Sequence, residues 1–324
     1  MANLDEVDFS DIYLTPENVA FVHDGITRYG LKKLEVDDMA SFRQALAKGW
    51  KGKSSYSIVY AGTVYRVEKV ETMTGTHYTA RRMPKKTPDL TKLGLPETLT
   101  NHLISMNRDS GLILWAGPTG MGKTTSASCM VKKYLEREGG FAYTIEDPPE
   151  LPLDGIYQSR RGGLGVCKQT EPPNNDWGEA LKSALRSRPK YILVGEIRTP
   201  ETTSQVLRAA ISGHMVVSTI HANSVEDALN SMIKYATAAG LNEELAADLL
   251  SRGILGVIHQ KLQGTKALYP EVRYVFANPD STQADQLRVL VRDRVLNLGT
   301  LIESQMAKMF QGKPLFRDTA PPDA

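Results

Sequence analysis

The sequence predicts an α/β chain in two parts, a small α+β domain followed by a buried parallel sheet with crossover helices. Three observations carry this. Over the first hundred residues, short runs such as YSIVYAG and TVYRVEKVETM alternate polar and apolar positions, the period of antiparallel strands with one face in water. The texture then changes to the continuous apolar runs GLILWAG, FAYTIED, YILVGE and HMVVSTIH, as strands covered on both faces require. Between the first of these runs and a helical pattern stands Gly117-Pro-Thr-Gly-Met-Gly122-Lys123-Thr124, a complete G-x-x-x-x-G-K-T.

In chain order, residues 1–90 form the first domain and its linker. Met83–Pro88 (MPKKTP) has little core-forming capacity and resists regular structure at both prolines. Residues 91–324 form the second domain, whose remainder from about 226 is expected to be mostly helical with one short strand-like stretch, ALYPEVRYVFA. One helix is well marked: Thr199 caps it, Pro200 fits its first turn, Val206, Leu207, Ala210 and Ile211 make one face, and Gly213 ends it. The basic stretch at 158–177, with Arg160, Arg161 and paired glycines, reads as a solvated loop, with a mobile pore- or membrane-facing loop as the alternative. The tail DTAPPDA is expected to be disordered.

Composition narrows the function. With 39 basic and 37 acidic residues, a net charge of +2 gives no field of the kind that dominates non-specific nucleic-acid binding, so nucleic acid is not expected as a direct ligand. The acidic start MANLDEVDFSDIYL lacks a basic region followed by an apolar stretch, and no segment is apolar enough to span a bilayer. A cytoplasmic protein, attached to a membrane only through partners, is expected. Cys129 and Cys167 make neither a disulfide framework nor a zinc site by themselves; they read as buried or incidental thiols.

The glycine loop is the strongest chemical signal. Glycines let backbone N–H groups turn inward around phosphate oxygens, and the helix beginning near Gly122 adds its positive end. Gly117, Pro118, Thr119, Gly120, Met121, Gly122, Lys123, Thr124 and Thr125 are thus the expected nucleotide-binding set, for ATP with Mg²⁺. Lys123 is placed to reach the β- and γ-phosphates, and the Thr124 hydroxyl to join Mg²⁺.

Ligands of open parallel sheets sit outside the carboxyl ends of the strands, so the polar residues ending the other apolar runs are the catalytic candidates. FAYTI delivers Glu146 and Asp147, YILVG delivers Glu196 and Arg198, and HMVVSTI is bracketed by His214 and His221. Glu196 suits orienting or deprotonating the attacking water, while Glu146 and Asp147 suit holding Mg²⁺ through its water shell. His221 is placed to sense the γ-phosphate, whereas His214 has a bland alternative, a hydrogen bond to a backbone carbonyl at the strand's start. His23, His77, His102 and His259 read as structural or surface residues.

GPTGMGKTTS, TIEDPPEL, ILVGEIRTPET and GHMVVSTIHANS resemble, in order and rough spacing, the four boxes of the secretion and pilus ATPase family, which includes type II and type IV secretion and pilus retraction ATPases. LGLPETL is also similar to the family's pattern, and SDIYLTPENVAFVHDGI and YRVEKVETMTGTHYTARRMP resemble its PAS-like N-terminal domain. The resemblance implies a RecA-like P-loop ATPase core, a PAS-like α+β N-terminal domain and a helical C-terminal region. It implies a homohexamer that hydrolyses ATP at inner-membrane secretion or pilus platform proteins, and arginine fingers at Arg66 and Arg81, with Arg82 the lesser candidate. Chain length points toward the retraction and type IVB secretion or conjugal transfer branch. Arg188-Pro189-Lys190 replaces the usual acid-Pro-acid triplet, and Thr199 stands where Asp commonly follows GEIR. Two readings stay beside it: a RecA-like nucleic-acid motor, and a non-hydrolysing, ATP-gated assembly subunit.

Overall fold

A computed structural model describes residues 3–23, 30–106, 110–264, 268–281 and 285–316; the expectation for the DTAPPDA tail lies outside them. The chain divides into two compact units, Met1–Lys86 with Pro148–Pro152, and Thr87–Asp147 with Leu153–Ala324. That the first unit takes back five residues from the middle of the chain is not foreseen by any linear boundary.

The first unit contains β1 (Asp11–Leu14), β2 (Ala20–His23), β3 (Leu31–Leu34), α1 (Met39–Gly49), β4 (Ser55–Tyr60), β5 (Thr63–Thr72) and β6 (Gly75–Arg82). Its strands form an antiparallel sheet in the order β3-β2-β1-β6-β5-β4. Ala61 and Gly62, both at positive φ (46° and 72°), make the two-residue turn from β4 to β5, a geometry whose twist matches that of the flanking strands. Alternate residues Thr63, Tyr65 and Val67 face a core with Phe42 and Leu46 of α1, so the period-two pattern becomes one buried face.

The second unit opens with α2 (Glu97–Ser105), β7 (Gly111–Ala116), α3 (Lys123–Glu138), β8 (Gly140–Ile145), β9 (Gly155–Gln158) and β10 (Leu164–Thr170). It continues through α4 (Trp177–Arg186), β11 (Tyr191–Val194), α5 (Pro200–Ile211), β12 (Met215–Ile220), α6 (Val225–Ala238) and α7 (Glu243–Gly253). It closes with β13 (Ile254–Gln263), β14 (Tyr269–Phe276), α8 (Gln286–Arg292) and α9 (Gly299–Phe310). The sheet runs β14-β13-β7-β12-β11-β8-β10-β9; its six inner strands are parallel and each edge strand is antiparallel. The four apolar runs are β7, β8, β11 and β12. Leu112 and Leu114 of β7 pack toward α5, α6 and α7, while Ile113 and Trp115 pack toward α2 and α3. Covered on both faces, these strands have no need of alternation. At the head of α5 the Thr199 hydroxyl accepts from the Thr202 N–H, Pro200 opens the first turn, and Gly213 follows the helix at φ 94°.

One expectation fails here. The basic stretch expected as a loop contributes β9 and β10, and β10 pairs in parallel with β8, so its backbone is satisfied by the sheet. Only Ser159–Gly163 turns between those strands. The C-terminal region is helical as expected, through α6, α7, α8 and α9, and it adds a strand the sequence reading did not name: ILGVIHQKLQ is a ten-residue strand, β13, running beside β7. Tertiary pairing with β7 gives this run its identity, because a short apolar run fits buried helix and buried strand alike.

Candidate active site

The G-x-x-x-x-G-K-T loop leaves the carboxyl end of the fully buried β7 and enters α3. Gly117 adopts φ 145°, and a Cβ there would come within 2.3 Å of the Gln260 carbonyl oxygen. Gly122, at φ 75°, is the left-handed residue preceding α3. Both positions demand glycine, one for space and one for conformation. The Lys123 ammonium is buried, with Nζ donating to the Pro118 carbonyl at 2.7 Å. Thr124 and Thr125 are half-buried on the first turn of α3.

The carboxyl ends of β11 and β12 meet this loop. His221 Nε2 lies 3.1 Å from Glu196 Oε1 and 3.3 Å from the Thr119 hydroxyl. Arg198 grips the other oxygen of Glu196 through Nε at 2.7 Å and Nη2 at 2.5 Å. The turn carrying Glu196 is fastened by its backbone: the Gly195 N–H donates to Ile145, the Ile197 N–H to Thr219, and the Thr219 hydroxyl to the Gly195 carbonyl. Glu196 is therefore held in place by strand ends.

Glu146 follows β8 and is buried. Its Oε1 accepts hydrogen bonds of 2.8 Å from the Thr144 hydroxyl and from Nε2 of Gln169 on β10. A Cβ at Gly195 would stand 3.2 Å from Glu146 Cγ, so the absent side chain lets β8 and β11 end side by side. Asp147, the next residue, is exposed. Among the described residues, no group of three or more His, Cys, Asp or Glu side chains is arranged to hold a metal by itself. Thr124, Glu146 and Asp147 are the residues expected at a Mg²⁺ ion, which takes few protein ligands and leans on phosphate and water.

His214 takes the bland role, with Nδ1 2.7 Å from the Pro189 carbonyl oxygen. His102 and His259 are buried. Burial pushes the Cys129 thiol up to about 12 and raises that of Cys167 as well, with Glu146 adding to the latter; neither is a nucleophile near neutral pH.

Arg66 and Arg81 belong to the first unit, where they are direct cross-strand partners on β5 and β6. Arg81 Nε is 2.7 Å from Asp11 Oδ1, and Arg66 Nη1 is 3.6 Å from Glu150 Oε1 within that same unit. Arg82 differs from both: it donates to the carbonyls of Val7 and Leu4 and lies 4.1 Å over the Phe9 ring, which makes it a fastener of the N-terminal segment.

The residue that sequence reasoning missed is Gln260 of β13. Its Nε2 donates to the Met121 carbonyl at 2.6 Å and its Oε1 accepts from the Ser126 hydroxyl at 2.8 Å. The β-branched ILGVI preceding it was the available signal.

Comparison with known proteins places this geometry in context. A twitching motility protein of Neisseria gonorrhoeae is 31% identical over 201 residues, 62% of this chain and 51% of that protein. The type II secretion system protein E of Dickeya dadantii is 33% identical over 202 residues, 61% of this chain and 36% of that protein. The chain thus spans about half or less of the length of these curated relatives. Among solved structures, the pilus retraction motor PilT with bound ADP superposes with a TM-score of 0.73 at 26% identity, over 98% of this chain and 95% of that one. The ATPase DotB of Legionella pneumophila, at 22% identity and a TM-score of 0.68 over 95% of this chain and 85% of that one, shares the fold. A family model described as type II/IV secretion system protein matches residues 55–299. The chain belongs to that family.

Proposed function

We propose that the chain binds ATP with Mg²⁺ and hydrolyses it as one subunit of a homohexameric ring. The ring drives macromolecular export, conjugal transfer or pilus movement through inner-membrane platform proteins. The observation that carries this is the joining of the phosphate loop to the ends of β11 and β12 through Thr119, His221 and Glu196. A phosphate loop alone supports binding; a fixed carboxylate beside it supports hydrolysis. Lys123 and Thr124 serve the phosphates and Mg²⁺, Glu146 and Asp147 serve the metal's water shell, and Glu196 serves the attacking water. Arg66 and Arg81 of a PAS-like first domain supply the permanent charge that phosphoryl transfer needs. The ADP-bound structural neighbour and the matches to secretion and pilus proteins support the reading. Among the described residues no helix is long and apolar enough to cross a membrane.

The test is ATP turnover by the purified chain, with light scattering in ATP to read the ring. Lys123→Ala abolishes nucleotide binding, and titrating it into wild type lowers turnover more than in proportion if subunits act together. Binding without turnover, unchanged by Glu196→Gln, favours a non-hydrolysing assembly subunit. Stimulation by single-stranded DNA favours a nucleic-acid motor.

A further inference from the structure

We propose that Gln260, on β13, is a positioning residue that holds the phosphate loop of the site. The inference rests on the nucleotide-binding reading above. β13 runs parallel to β7 with His259 beside Ala116, so Gln260 stands level with Gly117, where β7 becomes the phosphate loop. Its side chain is 2% exposed and is saturated by that loop: Nε2 donates to Met121 O and Oε1 accepts from Ser126 Oγ. Only one amide orientation serves both, because Met121 offers an acceptor and Ser126 a proton.

The consequence follows from the planar trans peptide, in which C=O and N–H point in opposite directions. With the Met121 carbonyl drawn toward Gln260, the Gly122 N–H is aimed the other way, where a phosphate loop needs its donors. Two further contacts brace the same turn. The Leu262 N–H approaches Met121 Sδ at 3.3 Å, and the Gln260 carbonyl sits where a Cβ on Gly117 would stand.

The effect falls on affinity rather than on turnover, because the phosphate loop is present in every bound state. Gln260→Met removes both hydrogen bonds at similar volume, and Gln260→Glu keeps the acceptor for Ser126 but faces Met121 O with a second oxygen. Both raise the Kd for Mg-ADP and the KM for ATP about tenfold, with kcat moved far less. Ser126→Ala, which leaves the glutamine in place, moves both in the same direction by about threefold. Melting temperature without nucleotide is recorded for each variant. Mg-ADP affinity equal to wild type in Gln260→Glu and Ser126→Ala overturns the proposal, as does a loss that tracks the melting temperature. Binding by wild type that is lost in Lys123→Ala establishes the nucleotide reading separately; a wild-type chain that binds no Mg-ADP overturns both.

Discussion

His221 Nε2 lies 3.1 Å from Glu196 Oε1, and the same nitrogen is 3.3 Å from the Thr119 hydroxyl of the phosphate loop. The hydrogen bond of that nitrogen is with Thr119, while Glu196 Oε1 stands beside it without a hydrogen-bond partner among the described residues. Glu196→Gln keeps the shape and removes the carboxylate proposed to act as base. Turnover is expected to fall about a hundredfold or more, with Mg-ADP affinity within about threefold of wild type. His221→Ala is expected to lower kcat about tenfold, since Arg198 still holds the other oxygen of Glu196. Single-turnover hydrolysis beside direct ADP binding separates these effects from a loss of affinity.

The site was readable in sequence where chemistry and strand ends coincide. Gly117 to Thr124, Glu196 and His221 announce themselves because each follows an aliphatic run whose burial is forced by its own residues. Gln260 was hidden because the β-branched ILGVI before it is only a weak strand signal until β7 is beside it. The stretch 158–177 misled for a related reason: its charges and glycines describe the turn at Ser159–Gly163, while Gly165 and Cys167 of β10 face inward and Leu164 and Val166 face water. Only half of an edge hairpin is written in apolar residues. The return of Pro148–Pro152 to the first unit is a long-range packing choice that no local pattern encodes.

Arg66 and Arg81 stand directly opposite one another on β5 and β6, an arrangement of like charges that costs stability on a sheet. Each is paired with its own acid, Glu150 and Asp11, and these partly exposed pairs return about 0–1 kcal/mol. Replacing either arginine by alanine is therefore expected to leave the melting temperature within about 2 °C of wild type. If the pair serves phosphoryl transfer, turnover falls about a hundredfold in each variant. A parallel loss of stability and turnover marks them instead as sheet fasteners like Arg82.

Gly117 and Gly120 look alike in the motif and differ in space. A Cβ on Gly117 would meet the Gln260 carbonyl oxygen at 2.3 Å, and its φ of 145° is hostile to L residues; Gly120, at φ 75°, has nothing within 4 Å of the same added atom. Gly120→Ala is expected to cost about 1 kcal/mol, the price of the left-handed backbone alone. Gly117→Ala must also part β7 from β13, a cost of about 2–4 kcal/mol. Urea unfolding of the two variants, with Mg-ADP binding in parallel, checks the ranking, and equal destabilisation contradicts the predicted close approach of β13 to the loop.

His102 on α2 sets a pH dependence, and the buried His259 of β13, its pKa also lowered by burial, adds to it in the same direction. The Nε2 of His102 is buried without a hydrogen-bond partner among the described residues, and its ring meets Phe276 edge-on at 4.5 Å. Burial drives its pKa down to about 4 from 6.5. Because the folded value lies below the unfolded one, the unfolded chain binds the proton first. Stability is full above about pH 6.5 and falls as pH drops toward 4. Between pH 7 and pH 5 the loss is expected to reach about 2 kcal/mol. Asp89 does not confuse this window: although burial raises its pKa, hydrogen bonds from Thr91 and Lys133 bring it to about 2, so its contribution is lost only below about pH 4. Replacing the ring by an apolar group, His102→Leu, is expected to flatten the slope between pH 7 and pH 5 at a modest packing cost. Urea midpoints at the two pH values measure it. A slope undiminished by the substitution assigns the titration to another group.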